Sequence, residues 1–180
     1  MPDASDSRSP RPLLIYLARL RVPLGFMVGT FAIWLARPTM SSLAMGLTVA
    51  IFGEVIRFWA AGHLEKGCGI TTSGPYRWSC HPLYLGSAII GVGFMIASAQ
   101  LSAAVLVGVY LAVTLLAAVR IEQIGLRTTF GRDYVLYEKG ITNTVGRRFC
   151  VSRVLKNREQ RAVMGLLAVV LILAIKACSR

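Results

Sequence analysis

The sequence predicts an all-α, polytopic membrane protein with about five transmembrane helices. Three observations lead to this fold class. Hydrophobic residues make up 55% of the 180 positions, and the mean hydropathy is +0.61. The apolar residues come in long runs, which is typical of helices that span a bilayer. No polar stretch is long enough to build a soluble core, so we expect one membrane domain over residues 13–180.

The N-terminal residues 1–12 are rich in Pro, Ser and Asp, and we expect a disordered tail. The first span is predicted over residues 22–36. It can extend backward if Arg19 and Arg21 snorkel to the interface. A signal peptide is the alternative, but charges at both ends favour a retained span.

Four further apolar runs predict the remaining spans, at residues 41–61, 82–98, 101–119 and 162–175. Only Ala99 and Gln100 separate the third from the fourth, so these two should form a tight helical hairpin. The last run is short and would need flanking residues or a thinner bilayer to cross.

Basic residues set the predicted orientation. All except Arg37, Lys176 and Arg180 lie in residues 1–21, in residues 57–77 or in residues 120–161. An odd number of spans places these three regions on one side, which the positive-inside rule assigns to the cytoplasm.

The net charge of +12 does not indicate a nucleic-acid partner, because the basic residues flank apolar runs and form no nucleic-acid-binding motif. Membrane lipids are the expected partners of these charges. The four cysteines show no CxxC spacing, so neither a zinc site nor a redox motif is indicated.

Residues 71–86, TTSGPYRWSCHPLYLG, organise the chain. Pro75 and Pro82 restrict the loop, and Pro82 stands where a helix would begin. His81 then lies at a helix mouth, where free backbone donors and the helix dipole favour anions. A lone histidine is often only structural, but here its position favours a functional role.

Glu54 and Arg57 lie three residues apart and share a helix face. They also lie inside a predicted span, where ionisable groups are functional candidates. The pair could simply satisfy itself near the interface. Alternatively, Arg57 reaches a carboxylate or phosphate of a cofactor.

The second polar cluster, residues 120–137, reads RIEQIGLRTTFGRDYVLY. We expect the fourth helix to continue past the membrane surface and to break near Gly131. Residues 149–161 resemble a basic interfacial segment with Val151, Val154 and Leu155 towards the bilayer. The alternative, which we prefer, is a simple topology anchor for the last span. Glu159 is expected in a basic linker.

Together these two regions resemble the isoprenylcysteine carboxyl methyltransferase and phospholipid methyltransferase superfamily of membrane enzymes. Its first pattern is close to TxGPYRxxRHPxYxG, which this chain matches at Thr72, Gly74, Pro75, Tyr76, Arg77, His81, Pro82, Tyr84 and Gly86. Its second is close to EExxLxxxFGxxYxxY, matched at Glu122, Leu126, Phe130, Gly131, Tyr134 and Tyr137. The residues Arg57, Trp59 and Ala60 look like the end of the family's preceding span, so the resemblance covers residues 53–137.

The resemblance implies S-adenosyl-L-methionine bound in a cytosolic pocket, without a Rossmann fold, and a lipophilic acceptor entering from the bilayer. The implied catalytic residues are Glu122 and Arg57. The implied cofactor-binding residues are Gly74, Pro75, Tyr76, Arg77, His81, Pro82, Tyr84, Glu122, Gln123, Tyr134 and Tyr137. Glu122 suits the cofactor's sulfonium cation, and Arg57 suits its carboxylate. No metal is implied.

This chain departs from the family patterns at two positions: Cys80 replaces an arginine, and Gln123 replaces the second acid of a glutamate pair. A different substrate, weaker cofactor binding or lost activity would each be consistent with these changes. Two alternatives are an NADPH-dependent enzyme like the sterol reductases, whose C-terminal regions look similar, and a non-catalytic membrane scaffold.

Overall fold

The computed structural model describes residues 12–65, 69–141 and 147–179. Within these ranges the chain forms helices and short connections, with no strand, and the all-α fold class is confirmed. The helices are α1 (Pro12–Leu35), α2 (Met40–His63), α3 (Pro82–Ser98), α4 (Leu101–Phe130), α5 (Arg132–Glu138), α6 (Val151–Lys156) and α7 (Glu159–Cys178). Apart from Pro12, which begins α1, the predicted tail lies outside the described residues.

Three of these helices, α2, α4 and α7, are long and apolar enough to cross a membrane. Residues 22–35 of α1 and the whole of α3 are shorter apolar helices. Five spans therefore remains a prediction. The last helix begins at Glu159, so flanking residues lengthen the short run predicted at 162–175.

The centre of the fold is the tight pair of α2 and α3, which pack more extensively than any other two described helices. Glycines on both helices make this approach possible. A Cβ atom on Gly53 would lie 2.7 Å from the Gly86 carbonyl oxygen, and one on Gly93 would lie 2.6 Å from that of Gly46. Gly93 and Gly53 therefore serve the close packing of the two helices.

One end of the bundle, here called the far end, holds a small apolar core of Ala36, Leu43, Ala97 and Leu173. The α3–α4 turn lies there, with Ala99 in the left-handed region at φ 46°. The Lys176 ammonium donates hydrogen bonds to carbonyl oxygens at the end of α1. These contacts tie the end of α7 to α1.

The opposite end, the motif end, carries the loop that contains residues 71–81. Helix α4 runs past it to Phe130 and ends at Gly131, whose φ is 51°. Residues without glycine's freedom rarely adopt this angle, which explains why the helix breaks here. The prediction that the fourth helix continues beyond its apolar run and breaks near Gly131 is confirmed.

Residues 147–159, here called the clasp, hold the end of α2. The Cys150 amide donates to the Gly62 carbonyl oxygen at 3.1 Å, and the Asn157 side chain donates to the carbonyls of Ala61 and Leu64, each at 3.0 Å. These bonds satisfy carbonyls that a helix end leaves unpaired. Val154 is 2% exposed, so its predicted placement towards the bilayer is wrong.

Candidate functional site

The motif loop is built against the end of α2. A single 3₁₀ turn, Gly74–Arg77, places Tyr76 in the interior. Gly74 has φ +60°, and a Cβ atom there would lie 2.6 Å from Nδ1 of His63. Both the backbone angle and the lack of space therefore require glycine at this position.

His81 caps the first turn of α3, and Pro82 occupies that turn, as predicted. The His81 side chain is only 13% exposed. Neither of its ring nitrogens has a hydrogen-bond partner among the described residues, although both are buried. A buried polar atom without a partner costs free energy, and such atoms are often satisfied by a ligand or water.

Glu122 lies on the part of α4 that continues beyond the apolar run. Its Oε2 atom is 3.7 Å from Nδ1 of His81, and its side chain is 44% exposed. The two polar clusters of the sequence therefore meet at the pair of His81 and Glu122. The Glu122 side chain lines the pocket and is partly exposed.

These residues surround a cavity of about 380 Å³, here called the motif pocket. Six residues proposed from the sequence line it: Arg57, Tyr76, His81, Pro82, Tyr84 and Glu122. Five further residues complete the lining: Leu64, Cys80, Leu83, Ser87 and Leu115. The lining combines one cation, one anion and several aromatic rings, which suits a polar ligand that carries both charges.

Arg57 reaches the pocket across α3. Its stem passes Gly86, where a Cβ atom would lie 2.6 Å from the Arg57 Cγ atom. The guanidinium donates to the Ser87 hydroxyl and, at 2.7 Å, to Oε2 of Glu159. Glu54 is more distant, with its Oε2 atom 3.9 Å from Nε of Arg57. The expected pair of Glu54 and Arg57 is thus the weaker of two ion pairs.

A second cavity of about 360 Å³, here called the apolar cavity, runs between α1, α2, α3, α4 and α7. Small and aliphatic side chains dominate its wall. Arg57 and Ser87 belong to the walls of both cavities. The two cavities therefore meet at the Arg57–Ser87 hydrogen bond.

Behind the motif pocket, α5 supplies two tyrosines. The Tyr137 hydroxyl donates to the Tyr76 carbonyl oxygen at 2.7 Å, and the rings of Tyr134 and Tyr137 lie 6.1 Å apart. Tyr134 is almost fully buried. These contacts place both tyrosines in the support of the loop, outside the lining of the motif pocket.

Burial keeps the hydroxyl and thiol groups of this region protonated. It raises the pKa of Tyr76, with a further increase from the Glu122 carboxylate, and it also raises the pKa of Tyr134 and Tyr137. Burial raises the pKa of Cys80 as well, against the opposite effect of a hydrogen bond with Tyr137. The side chains of Tyr76 and Cys80 in the pocket wall are therefore uncharged.

The other proposed cofactor-binding residues lie around the pocket without lining it. Gly74 and Pro75 shape the loop, the Arg77 side chain is exposed, and Gln123 is half-buried on α4 beside Glu122. Any contact between these side chains and a ligand remains a prediction.

The two side chains that accept hydrogen bonds from Arg57, Ser87 and Glu159, were not proposed from the sequence. Ser87 lies one helical turn after Tyr84 on α3, so the helix period alone could have indicated it. Glu159 was expected in a basic linker, and this is wrong, because its side chain is 6% exposed and pairs with Arg57. Glu159 is the single acid among the basic residues 147–159, and this isolated position could have indicated that it pairs with a cation.

Fold and site together define a helical membrane protein with a polar pocket at one end and an apolar cavity beside it. A comparison with known protein families matches residues 20–133 to the phospholipid methyltransferase family. The chain belongs to this family, which is a family of membrane methyltransferases. Searches of curated proteins and of solved structures found no match.

Proposed function

We propose that the protein is an S-adenosyl-L-methionine-dependent methyltransferase that acts on a membrane lipid. The cofactor would occupy the motif pocket, and the acceptor would enter through the apolar cavity. The observation that carries this proposal is the shared wall of the two cavities at Arg57 and Ser87. Two ligands bound there would meet at one point, as transfer between them requires.

The residues of the motif pocket fit this cofactor. A volume of about 380 Å³ lies within the range of small-molecule sites. The ring nitrogens of His81, which have no hydrogen-bond partner among the described residues, suit the polar groups of the cofactor, and the Arg57 guanidinium suits its carboxylate. The Glu122 carboxylate and the faces of Tyr76 and Tyr84 suit its positive charge.

When bound, S-adenosyl-L-methionine supplies a methyl group activated by a sulfonium. The protein's own contribution is orientation of the reactants and exclusion of water. An amine or thiol acceptor also has to lose a proton. Glu122 is the carboxylate in the motif pocket that could accept it, whereas a carboxylate acceptor would need no base.

The experiment is to incubate purified protein with methyl-labelled S-adenosyl-L-methionine and total membrane lipid extract, and to identify the labelled product by mass spectrometry. We expect label in a lipid fraction, and none with the Glu122→Ala protein. Label in no lipid, together with no binding of the cofactor, would contradict the proposal and favour a non-catalytic scaffold.

A reductase that binds NADPH is the competing enzyme. Family membership favours the methyltransferase. Unfolding midpoints in detergent separate the two, since a ligand that binds only the folded state raises the midpoint. We expect S-adenosyl-L-methionine to raise it and NADPH to leave it unchanged; the opposite result would favour the reductase.

We also propose a multi-pass arrangement in which the motif end faces the cytoplasm, as the distribution of basic residues supports. A membrane-impermeant maleimide should label Cys150 of the clasp only from the cytoplasmic side of sealed vesicles. Labelling from the opposite side would reverse the orientation and remove access to a cytosolic cofactor.

A further inference from the structure

The charged cluster at the junction of the two cavities contains more acid than its arginine needs. Arg57 pairs with Glu159 at 2.7 Å, while Glu54 lies 3.9 Å from Nε of Arg57. With both acids ionised, the three side chains carry a net charge of −1. Glu54 is the acid whose charge is least neutralised.

Glu54 faces the apolar cavity. Its side chain is 13% exposed, and neither carboxylate oxygen has a hydrogen-bond partner among the described residues. Glu54 lines the apolar cavity but is not among the residues of the motif pocket. A buried carboxylate in this situation is unfavourable unless it is protonated or bound to a cation.

The shape of the cavity suggests what kind of cation would bind. Its α2 wall runs from Leu43 to Arg57, about 20 Å by helix rise. Glu54 and Arg57 lie at one end of this wall, and apolar or small side chains occupy the rest. A molecule with a hydrocarbon tail and a positive head group would match both parts.

Glu159 is the reason that Arg57 leaves the charge of Glu54 poorly neutralised. Glu159 is the first residue of α7. Two residues before it, the Asn157 side chain binds the end of α2, and this contact fixes the position of Glu159. Because Glu159 engages the guanidinium, Arg57 does not close on Glu54. Glu159 lies outside residues 20–133, the segment matched to the family.

We propose that Glu54 is the head-group residue of the apolar cavity and selects cationic amphiphiles over neutral and anionic ones, with Glu159 as a positioning residue that keeps Arg57 away from it. This proposal rests on the proposed function only in treating the cavity as the acceptor side. The binding it describes can be measured without any methyl transfer.

The test uses the full-length protein in a neutral maltoside detergent, titrated with decylammonium, decanol or decanoate. Affinity is obtained from the rise in unfolding midpoint, which depends on ligand concentration and Kd. Comparison of wild type with variants cancels the effect of each amphiphile on the micelle. We expect decylammonium to bind wild type at least tenfold more tightly than decanol, with decanoate the weakest.

Glu54→Gln keeps the size of the side chain and should abolish this tenfold preference. Glu159→Gln should reduce it several-fold, because Arg57 then turns to Glu54. A purely structural role of Glu159 would lower the starting midpoint without changing the preference. The matched control is Glu65→Gln. Glu65 pairs with Arg147 and Arg153 and lines neither cavity, so this variant should keep the full preference.

The proposal is overturned if Glu54→Gln retains the preference, or if decanoate binds wild type best, since Arg57 would then be the recognising group. Failure of the proposed function is a separate outcome. It would appear as no binding of S-adenosyl-L-methionine to wild type, whatever the order of the three amphiphiles.

Discussion

The motif pocket and the apolar cavity are nearly equal in volume, at about 380 and 360 Å³, but their walls have different origins. Every residue lining the motif pocket lies within residues 20–133, the segment matched to the family. The apolar cavity takes part of its wall from α7, which lies outside that segment. The motif pocket is thus built from the matched segment alone, whereas the apolar cavity also depends on a helix outside it.

This difference has a chemical reason. Recognition of a charged cofactor needs particular donors and acceptors at fixed positions, so it leaves a motif in the sequence. An apolar tail needs only space between helices, which many aliphatic side chains provide equally well. The motif pocket can therefore be predicted from local sequence patterns, whereas the apolar cavity depends on how the helices pack.

The largest expected effect comes from a substitution that disrupts the walls of both cavities. Gly93→Val would force a Cβ atom to within 2.6 Å of the Gly46 carbonyl oxygen and 2.8 Å of the Ala50 amide nitrogen. Because the obstacle is backbone, α2 and α3 must separate. We expect a loss of about 3 kcal/mol in unfolding free energy, measured by denaturation in detergent, with loss of both cofactor and amphiphile binding.

The matched control is Gly125→Val on α4, where a Cβ atom would meet nothing within 4 Å. It should be neutral or slightly stabilising, because glycine is a poor helix residue. Equal destabilisation by the two substitutions would contradict the close α2–α3 contact and with it the shared wall.

The next largest effect comes from a substitution that alters the motif pocket alone. Glu122→Gln removes the negative charge from the motif pocket but leaves the apolar cavity intact. An ion pair in a partly dry pocket is stronger than in water, so cofactor affinity or turnover should fall roughly tenfold to a hundredfold. Calorimetry with S-adenosyl-L-methionine measures the affinity, and decylammonium binding should be unchanged.

Asp133→Asn is the control for Glu122→Gln, since Asp133 is an exposed acid on α5 that lines neither cavity. It should alter cofactor affinity by less than about twofold, as surface charges contribute little. Small and equal effects of the two substitutions would remove Glu122 from the site and leave His81 as its main polar residue.

The parts of the structure that could be predicted are those set by local sequence. The α3–α4 hairpin follows from two apolar runs joined by two residues, and the end of α4 follows from a glycine beyond the last apolar turn. The resemblance implied that His81 and Glu122 bind one cofactor, and their two motifs flank that hairpin in the sequence.

The contacts that could not be predicted join distant segments through groups without a sequence signature. Arg57 and Glu159 are 102 residues apart, and no periodicity links them. The clasp binds backbone carbonyl groups at the end of α2. Because every residue carries such a group, the sequence does not identify Asn157 as their partner. Val154 reads as a membrane-facing apolar residue until α6 is seen to pack on α2.

The smallest expected effect compares two cysteines, Cys80 in the motif pocket wall and Cys150 in the clasp. Alkylation requires the thiolate, so its rate at a given pH depends on the thiol pKa. Burial raises the pKa of Cys80, whereas a hydrogen bond with Ser152 lowers that of Cys150. At neutral pH more of Cys150 is ionised, and we expect iodoacetamide to modify it roughly fivefold faster or more.

The pH dependence follows from the same shifts. As pH rises, the thiolate form of Cys150 saturates first while that of Cys80 continues to increase, so the rate ratio should shrink. Peptide mass spectrometry on the Cys68→Ser, Cys178→Ser protein would follow both sites. S-adenosyl-L-methionine should protect Cys80 and leave Cys150 unaffected, because only Cys80 lines the motif pocket. Equal protection of both cysteines would place the cofactor outside this pocket, and equal rates at neutral pH would contradict the burial of Cys80.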